Sequence, residues 1–195
     1  LLQKGADLNR RLSSGFTALL FAAREGHMSV VKTLLSAGAD PRDAIDTKEK
    51  TGGRAAPNGT SAVHLAVENG HFELAMALVR AGADPNDMRN GYSALHTLTW
   101  VRKPARGDDE AGQPPPETTG KLTSLDFIRE IAAAGARLNQ PLKEGPSRGG
   151  LSLKGATPFL MACNTADVTI MKLLVERVAD LLMRNAQGST PLMVA

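Results

Sequence analysis

The stretch Gly59–Asp87, GTSAVHLAVENGHFELAMALVRAGADPND, carries two short segments whose apolar residues recur at helical spacing. Asn69-Gly70-His71 separates the two segments, and Gly82-Ala83-Asp84 follows the second. The pattern predicts a helix, a tight turn, a second helix and a stop. Two antiparallel helices of about two to three turns bury too little apolar surface to offset the chain entropy lost on ordering. We therefore expect neighbouring copies of the same unit.

Copies of this unit recur on both sides of it. The closing Gly-Ala-Asp returns, in altered form towards the end of the chain, at residues 5–7, 38–40, 82–84, 135–137 and 178–180. The opening motif begins with Ser or Thr and returns between them at residues 17–20, 61–64, 93–96, 157–160 and 190–193. Three units run 21 residues from opening to closing motif, and the basic connection adds 12, so the period is 33 residues. The third unit runs 42 residues and therefore contains an insertion.

A 33-residue period with a Thr-Pro-Leu-His-like opening, a mid-repeat Gly-His and a closing Gly-Ala-Asp resembles the ankyrin repeat. The matching residues span nearly the whole chain and include Thr157-Pro158, Thr190-Pro191, His64, His96, Gly26-His27 and Gly70-His71. The resemblance implies an all-α fold, an ankyrin-repeat solenoid of stacked helix-turn-helix units joined by hairpin or finger loops. Two long connections predict two extended fingers, and the third unit predicts one long insertion inside a repeat.

We expect a single ankyrin-repeat domain over residues 1–195, as a fragment of a longer array, because both ends of the sequence fall inside a repeat. Its predicted parts are the end of a repeat (1–9), a regular repeat (10–43), a repeat with a finger insertion (44–87), a repeat interrupted at 103–123 (88–139), a second repeat with a finger insertion (140–184) and the start of another repeat (185–195).

Apolar spacing predicts which side of each helix faces inward. The predicted inward residues are Leu19, Ala22, Ala23, Val30, Val31, Leu34, Leu35, Phe127, Ile128, Ile131, Ile170, Met171, Leu174 and Val175. Ser124 is the predicted N-cap of a helix over Leu125–Ala134. Val178 stands where the family has Gly, and a β-branched residue tolerates positive φ poorly, so this helix end should deviate from the others.

Charge and hydropathy argue against several functions. The net charge of +3 with 22% charged residues is too small to indicate attraction to nucleic acid or to membranes. No apolar run reaches 18 residues, so no segment of this sequence is predicted to span a bilayer. The most biased patch holds Arg137, Lys143, Arg148 and Lys154, and nucleic-acid binding there is the weakest alternative. The single cysteine, Cys163, excludes an internal disulfide framework and is expected to be a small buried hydrophobe.

The remaining reactive side chains form no catalytic or metal-binding pattern. The resemblance implies structural roles for all four histidines: His64 and His96 bond backbone groups at the opening turn, and His27 and His71 tie adjacent loops together. The acidic run at 108–110 lacks the ligand spacing of a calcium loop. We therefore predict no catalytic residue, no metal and no cofactor, and we do not expect an enzyme.

In ankyrin arrays the fingers and the exposed side of the first helices form a concave face that binds partner proteins. The resemblance therefore implies a protein–protein interaction module. Tyr92 and Trp100 are the single Tyr and the single Trp of the chain, and such residues dominate interface energies. Mapped by position, the predicted partner-binding residues are Phe16, Arg24, Glu25, Thr60, Glu68, Asn69, Tyr92, Trp100, Lys143 and Arg148.

Other interpretations stay open at this point. The insertion could fold back over Trp100, which would make that residue structural. The array could instead be a structural subunit or spacer of a larger assembly or multidomain enzyme, docking through its insertions, and contacts concentrated on residues 105–121 would indicate this. The insertion pattern is similar to that of ankyrin arrays of environmental bacteria, some of which are exported, so an exported and a cytoplasmic location are both open.

Overall fold

The computed structural model describes residues 5–48, 56–102, 119–143, 147–148, 151–177 and 179–195. Within these ranges the helices are α1 (Ala18–Arg24), α2 (Met28–Ser36), α3 (Ala62–Glu68), α4 (Phe72–Arg80), α5 (Ala94–Arg102), α6 (Ser124–Ala133), α7 (Pro158–Asn164), α8 (Val168–Glu176) and α9 (Pro191–Val194). Two short strands, β1 (Ser147–Arg148) and β2 (Leu151–Ser152), pair in antiparallel orientation.

Several sequence predictions fall outside the described residues. They concern Val178, most of the insertion at 103–123 with its acidic run at 108–110, the tips of both predicted fingers and the side chain of Arg148. The base of the first finger, at the start of the repeat over residues 44–87, is described. There Ala44 forms an isolated antiparallel bridge with Ser61.

First helices begin at Ser or Thr because the hydroxyl of that residue satisfies a backbone amide at the helix start. The side chains of Thr17, Ser61 and Thr157 each accept a hydrogen bond from the amide three residues later. Pro158 occupies the first turn of α7. Backbone amides in the first turn have no acceptor within the helix, so proline, which lacks the amide hydrogen, loses no hydrogen bond there. The opening motif is therefore a helix-start signal in each of these repeats.

One N-cap differs from the prediction. Thr123, and not Ser124, caps α6: its Oγ1 accepts from the Asp126 amide (3.2 Å), and Ser124 is the first helical residue. The Ser124 hydroxyl instead accepts from the Arg102 guanidinium at 2.6 Å. The side chain that was predicted to cap the helix thus joins α6 to the end of α5.

The helices stack as one array. Each first helix packs on the next in the order α1, α3, α5, α7 and α9, each repeat packs its own two helices together, and α4 contacts α6 in the second row. Ala22, Ala66 and Ala162 occupy the same position of their repeats and are all buried, so neighbouring first helices can approach closely. The predicted all-α solenoid of helix-turn-helix units is confirmed.

Most of the predicted inward residues are buried in one cluster that extends from α1 to the end of α8. Two predictions are wrong, because Val30 and Val175 are 45% and 46% exposed. Leu173, which was not predicted, is buried instead. A residue one position along a helix is rotated by about 100°, so the residue at the edge of an apolar stripe can lie outside the packed face, as Val30 does beside Val31 and Val175 beside Leu174.

Candidate functional site on the first helices

Two positions in each repeat form one surface: the residue before the capping Ser or Thr, and the residue seven positions after the cap. We call this surface the first-helix face. The residues at these positions are Phe16 and Arg24, Thr60 and Glu68, Tyr92 and Trp100, and Ala156 and Asn164, in the order of the repeats. Thr60 and Ala156 are fully buried and add no exposed area to the face. In the first and third of these repeats the paired side chains contact each other directly.

In the first regular repeat the first-helix face carries a cation, the Arg24 guanidinium, that already has partners within its own repeat. The Phe16 and Phe21 rings lie with their centroids 4.8 Å apart, and Cζ of Arg24 lies 5.3 Å and 5.0 Å from the two centroids. Arg24 Nε also donates to Glu25 Oε1 at 2.8 Å. The guanidinium is therefore held by two aromatic rings and one carboxylate of its own repeat.

The second repeat differs from the prediction at Thr60. This residue is fully buried, and its hydroxyl donates to the Pro57 carbonyl at 2.7 Å, so its expected exposure at a finger tip is wrong. Asn69 is half-buried and donates to the Leu65 carbonyl at the end of its own helix (2.8 Å). Glu68 is exposed and makes no ion pair with any residue that the structure describes.

In the third repeat the face is aromatic. The Tyr92 and Trp100 rings meet edge to face, with centroids 5.0 Å apart and planes at 78°, and both residues are half-buried. They pack against a small core cluster, separate from the main one, that consists of Leu142, Leu153, Ala156, Leu160 and Met161. Burial, followed by the nearby charge of Glu68, raises the pKa of the Tyr92 phenol. Glu68 is the last residue of α3, which packs against α5, the helix that carries Trp100.

Buried histidines hold the backbone of this face in place. The Ser61 hydroxyl lies 2.8 Å from His64 Nδ1, and His64 Nε2 donates to the Tyr92 carbonyl at 2.9 Å. His96 repeats the arrangement with the cap of its own helix (2.7 Å) and with the Ala156 carbonyl (3.1 Å). Burial lowers the pKa of both rings, that of His96 to about 4. The predicted bonds to backbone groups are confirmed, and each one fixes the residue that precedes the next cap.

The mid-repeat histidines behave differently from each other. His71 bonds the Arg24 carbonyl through Nε2 (3.1 Å) and the Thr119 hydroxyl through Nδ1 (2.8 Å). It therefore ties the first repeat to the residues that follow the insertion, as predicted. His27 is exposed and forms no side-chain hydrogen bond within the described part of the chain, so the same prediction is not met there.

The two basic residues of the predicted site are not both described. The Lys143 amide donates to the Gly91 carbonyl at 2.9 Å, which places its backbone beside the Tyr92 turn. Its exposed side chain lines an open cavity of about 690 Å³ together with Arg89. The side chain of Arg148 lies outside the described residues, so the structure adds nothing to that prediction.

Cys163, the single cysteine of the chain, is a buried side chain. Burial raises the pKa of the Cys163 thiol to about 11, so the sulfur is a packed, protonated side chain. No group of three or more His, Cys, Asp or Glu residues within the described ranges could hold a metal ion. No helix in the same ranges is both long and apolar enough to cross a membrane.

Two models of protein families match this chain. Residues 1–35 match the model described as ankyrin repeats in many copies, and residues 58–91 match that of the single ankyrin repeat. The second range begins at the turn before α3 and ends at the turn before α5, so it coincides with one unit of the stacked array. The chain belongs to the ankyrin-repeat family. Ankyrin repeats generally mediate protein–protein interaction, and the family is typically non-catalytic.

Curated relatives of this ankyrin-repeat chain include the mitochondrial disaggregases of Bos taurus and Homo sapiens. They are 56% and 54% identical to it over 41 residues. These residues are 21% of this chain and only 6% of each disaggregase. The similarity therefore concerns little more than one repeat of a much longer protein.

Sequence reasoning missed Phe21, which completes the aromatic pair under Arg24. A signal for it exists in the repeat alignment. Phe21 stands four residues after its cap, where the other repeats have Leu65, Thr97 and Met161. An aromatic residue at a position that is otherwise aliphatic or small marks a local departure from the common scaffold.

Proposed function

We propose that this chain is a non-catalytic interaction module that binds a protein partner through the first-helix face and the finger loops. The observation that carries the proposal is the Tyr92–Trp100 pair. Both rings are half-buried and in contact, so each is held in place and still offers part of its surface. Fixed aromatic side chains of this kind supply much of the free energy of binding at protein interfaces.

The aromatic pair is ordered before any partner arrives. His64 bonds the Tyr92 carbonyl, and its ring meets the Tyr92 ring edge to face at 5.6 Å between centroids. The small core cluster supports Trp100 from within the array. Side chains that are already fixed lose little rotamer freedom on binding, which favours affinity.

A second patch, formed by Phe16, Phe21 and Arg24, lies two first helices away. Packed helices are 8–10 Å apart, so the two patches are separated by roughly 20 Å. An extended segment of about six residues spans that distance. Glu68 and Asn69, at the end of the intervening helix, complete a continuous surface of suitable size for a bound peptide or loop.

Site-directed photo-crosslinking tests this proposal. Benzoylphenylalanine at Glu25, beside the first-helix face, is compared with the same residue at Lys32, which is exposed on α2. We expect irradiation to join a partner to the Glu25 variant only, and we expect the adduct to disappear when a folded Trp100→Ala chain is used. Equal crosslinking at both positions, or crosslinking at Lys32 alone, would contradict binding by the first-helix face.

A second candidate is a docking module within a longer protein, since the matched segment is only a small part of the disaggregases. The end of the insertion supports it. The Lys121 amide donates to Glu73 at 2.9 Å, and Thr119 bonds His71, so this end is anchored on the second repeat. Crosslinks that concentrate on residues 105–121, and not on the first-helix face, would favour this candidate.

A further inference from the structure

We propose that the first-helix face between the second and third repeats receives a positively charged side chain, Arg or Lys, from the protein partner. The cation would lie against the Tyr92 and Trp100 rings and next to the Glu68 carboxylate. The inference rests on the proposed function and names the chemistry that the site selects.

The first repeat shows the same arrangement completed by the chain itself. There the Arg24 guanidinium lies 5.3 Å and 5.0 Å from the Phe16 and Phe21 ring centroids and bonds the Glu25 carboxylate. An aromatic face attracts a cation through its quadrupole, and a carboxylate adds a charge-assisted hydrogen bond. This repeat therefore demonstrates how a cation is held on this face.

Within the described residues, the third repeat has the aromatic part of that arrangement, and the adjacent repeat adds a carboxylate, but no described cation contacts the two rings. By repeat position, Tyr92 replaces Phe16 and Trp100 replaces Arg24, so a second ring stands where the first repeat supplies its charge. Glu68 occupies the equivalent position of the adjacent repeat and acts electrostatically on the Tyr92 phenol. Desolvation raises the pKa of the Glu68 carboxyl, and no described residue forms an ion pair with it.

The described cation on the helix that carries Trp100 is engaged elsewhere. Arg102, at the end of the same helix as Trp100, donates to Asp167 (3.0 Å) and to Ser124 (2.6 Å). Lys143 lines the cavity at the turns of the repeats. An incoming Arg or Lys would therefore supply the charge that this part of the face lacks.

Electrostatics gives this arrangement selectivity. The Glu68 carboxylate attracts a nearby cation, and this attraction grows when a bound partner displaces water and lowers the effective dielectric constant. The same carboxylate repels an acidic side chain, and a neutral side chain gains only the aromatic contact. The site should therefore distinguish residues by charge, in addition to size.

A positional-scanning library of N-acetylated, C-amidated octapeptides tests this inference on the full chain. Binding is followed by isothermal titration calorimetry, because Trp100, the single tryptophan, is itself replaced in one of the variants. We expect Arg or Lys at one library position to bind about tenfold or more tightly than Gln there. Glu68→Gln should reduce this preference to less than about threefold. Glu176→Gln, which removes an exposed carboxylate at the end of α8 and away from the first-helix face, should leave the preference unchanged.

The outcomes separate this inference from the proposed function. If peptides bind without preferring a basic residue while Trp100→Ala still abolishes binding, the inference fails and the proposed function stands. If binding survives Trp100→Ala, both fail. The inference also fails if Glu68→Gln keeps the full preference or if no library peptide binds. A last outcome concerns Lys103, which follows the last residue of α5 in the sequence. If Lys103→Gln shifts the pKa of Glu68 measured by NMR, the chain supplies the cation itself and the inference fails.

Discussion

Tyr92 and Trp100 are eight residues apart in sequence, and their rings meet edge to face with centroids 5.0 Å apart. The contact joins the residue before a helix cap to the last turns of the same helix. Both rings also pack against the small cluster that contains Leu142 and Leu160. The pair is therefore part of the packed array on its inner side and part of the first-helix face on its outer side.

Trp100→Ala should lower the free energy of unfolding by about 1–3 kcal/mol, because the inner side of a half-buried ring loses its contacts with the small cluster. Trp100→Phe keeps an aromatic ring at the same place and should cost less than about 1.5 kcal/mol. Urea unfolding followed by circular dichroism measures both values, and equal losses would show that the contact with the cluster contributes nothing.

Leu34→Ala provides the core control. Leu34 is buried in the main cluster, so its truncation should lower the free energy of unfolding by about 2–5 kcal/mol. It lies on α2, a second helix, so it should change partner binding only through the fraction of unfolded chain. A loss of affinity measured on fully folded Leu34→Ala would contradict this separation of core and face.

Gly26→Ala should be more damaging than Gly38→Ala. Both glycines have positive φ, +73° and +96°, so an added methyl group strains either backbone by about 1–2 kcal/mol. At Gly26 that methyl carbon would also lie 2.6 Å from the His71 ring, which two hydrogen bonds hold in place, whereas at Gly38 it meets nothing within 4 Å. Urea unfolding should therefore show a difference of at least about 1 kcal/mol between the variants.

Adding His71→Ala tests the cause of that difference. If the ring is the obstacle, the double variant Gly26→Ala with His71→Ala should be more stable than the sum of the single effects predicts. Strict additivity would mean that the methyl group and the ring do not interact.

Stability should fall in mild acid because buried histidines must charge on protonation. The pKa of His96 is about 4 in the folded chain against 6.5 in the unfolded chain, so the unfolded state binds more protons below pH 6.5. This contribution is complete above pH 6.5 and is lost as the pH falls towards 4, by up to about 3 kcal/mol. The free energy of unfolding measured in urea at pH 7 and pH 4.5 should show the decrease.

His96→Gln is the matched variant for the pH experiment. Glutamine preserves a hydrogen-bonding side chain and does not titrate. The variant should be less stable at pH 7, yet it should lose about 2 kcal/mol less than the natural chain between pH 7 and pH 4.5. An unchanged pH dependence would assign the acid sensitivity to other groups.

The sequence predicts the array well because its signals are local and repeated. A cap such as Thr17, a buried alanine such as Ala22 and the period of 33 residues are each fixed by contacts within one unit or between adjacent units. Features that depend on a longer connection are not predictable in this way. Thr60 is buried because the base of a finger covers it, with the Ile45 amide donating to the Thr60 carbonyl at 2.9 Å.

The candidate site is only partly predictable for a related reason. The positions of Tyr92 and Trp100 follow from the repeat alignment, whereas their mutual contact requires the chain to turn at the cap. The contact of Arg24 with Phe21 depends on rotamers that composition does not specify. Val30 is exposed because the side of α2 that carries it does not pack against another helix. Apolar spacing alone does not decide which of two adjacent residues is buried.

The most direct test of partner binding by the first-helix face is the dissociation constant of the crosslinked partner for Trp100→Ala, at a temperature where circular dichroism shows the variant to be folded. Loss of the anchor should raise the dissociation constant by about 5-fold to 1,000-fold, equivalent to about 1–4 kcal/mol. A folded Trp100→Ala chain that binds the partner as tightly as the natural chain would contradict the account.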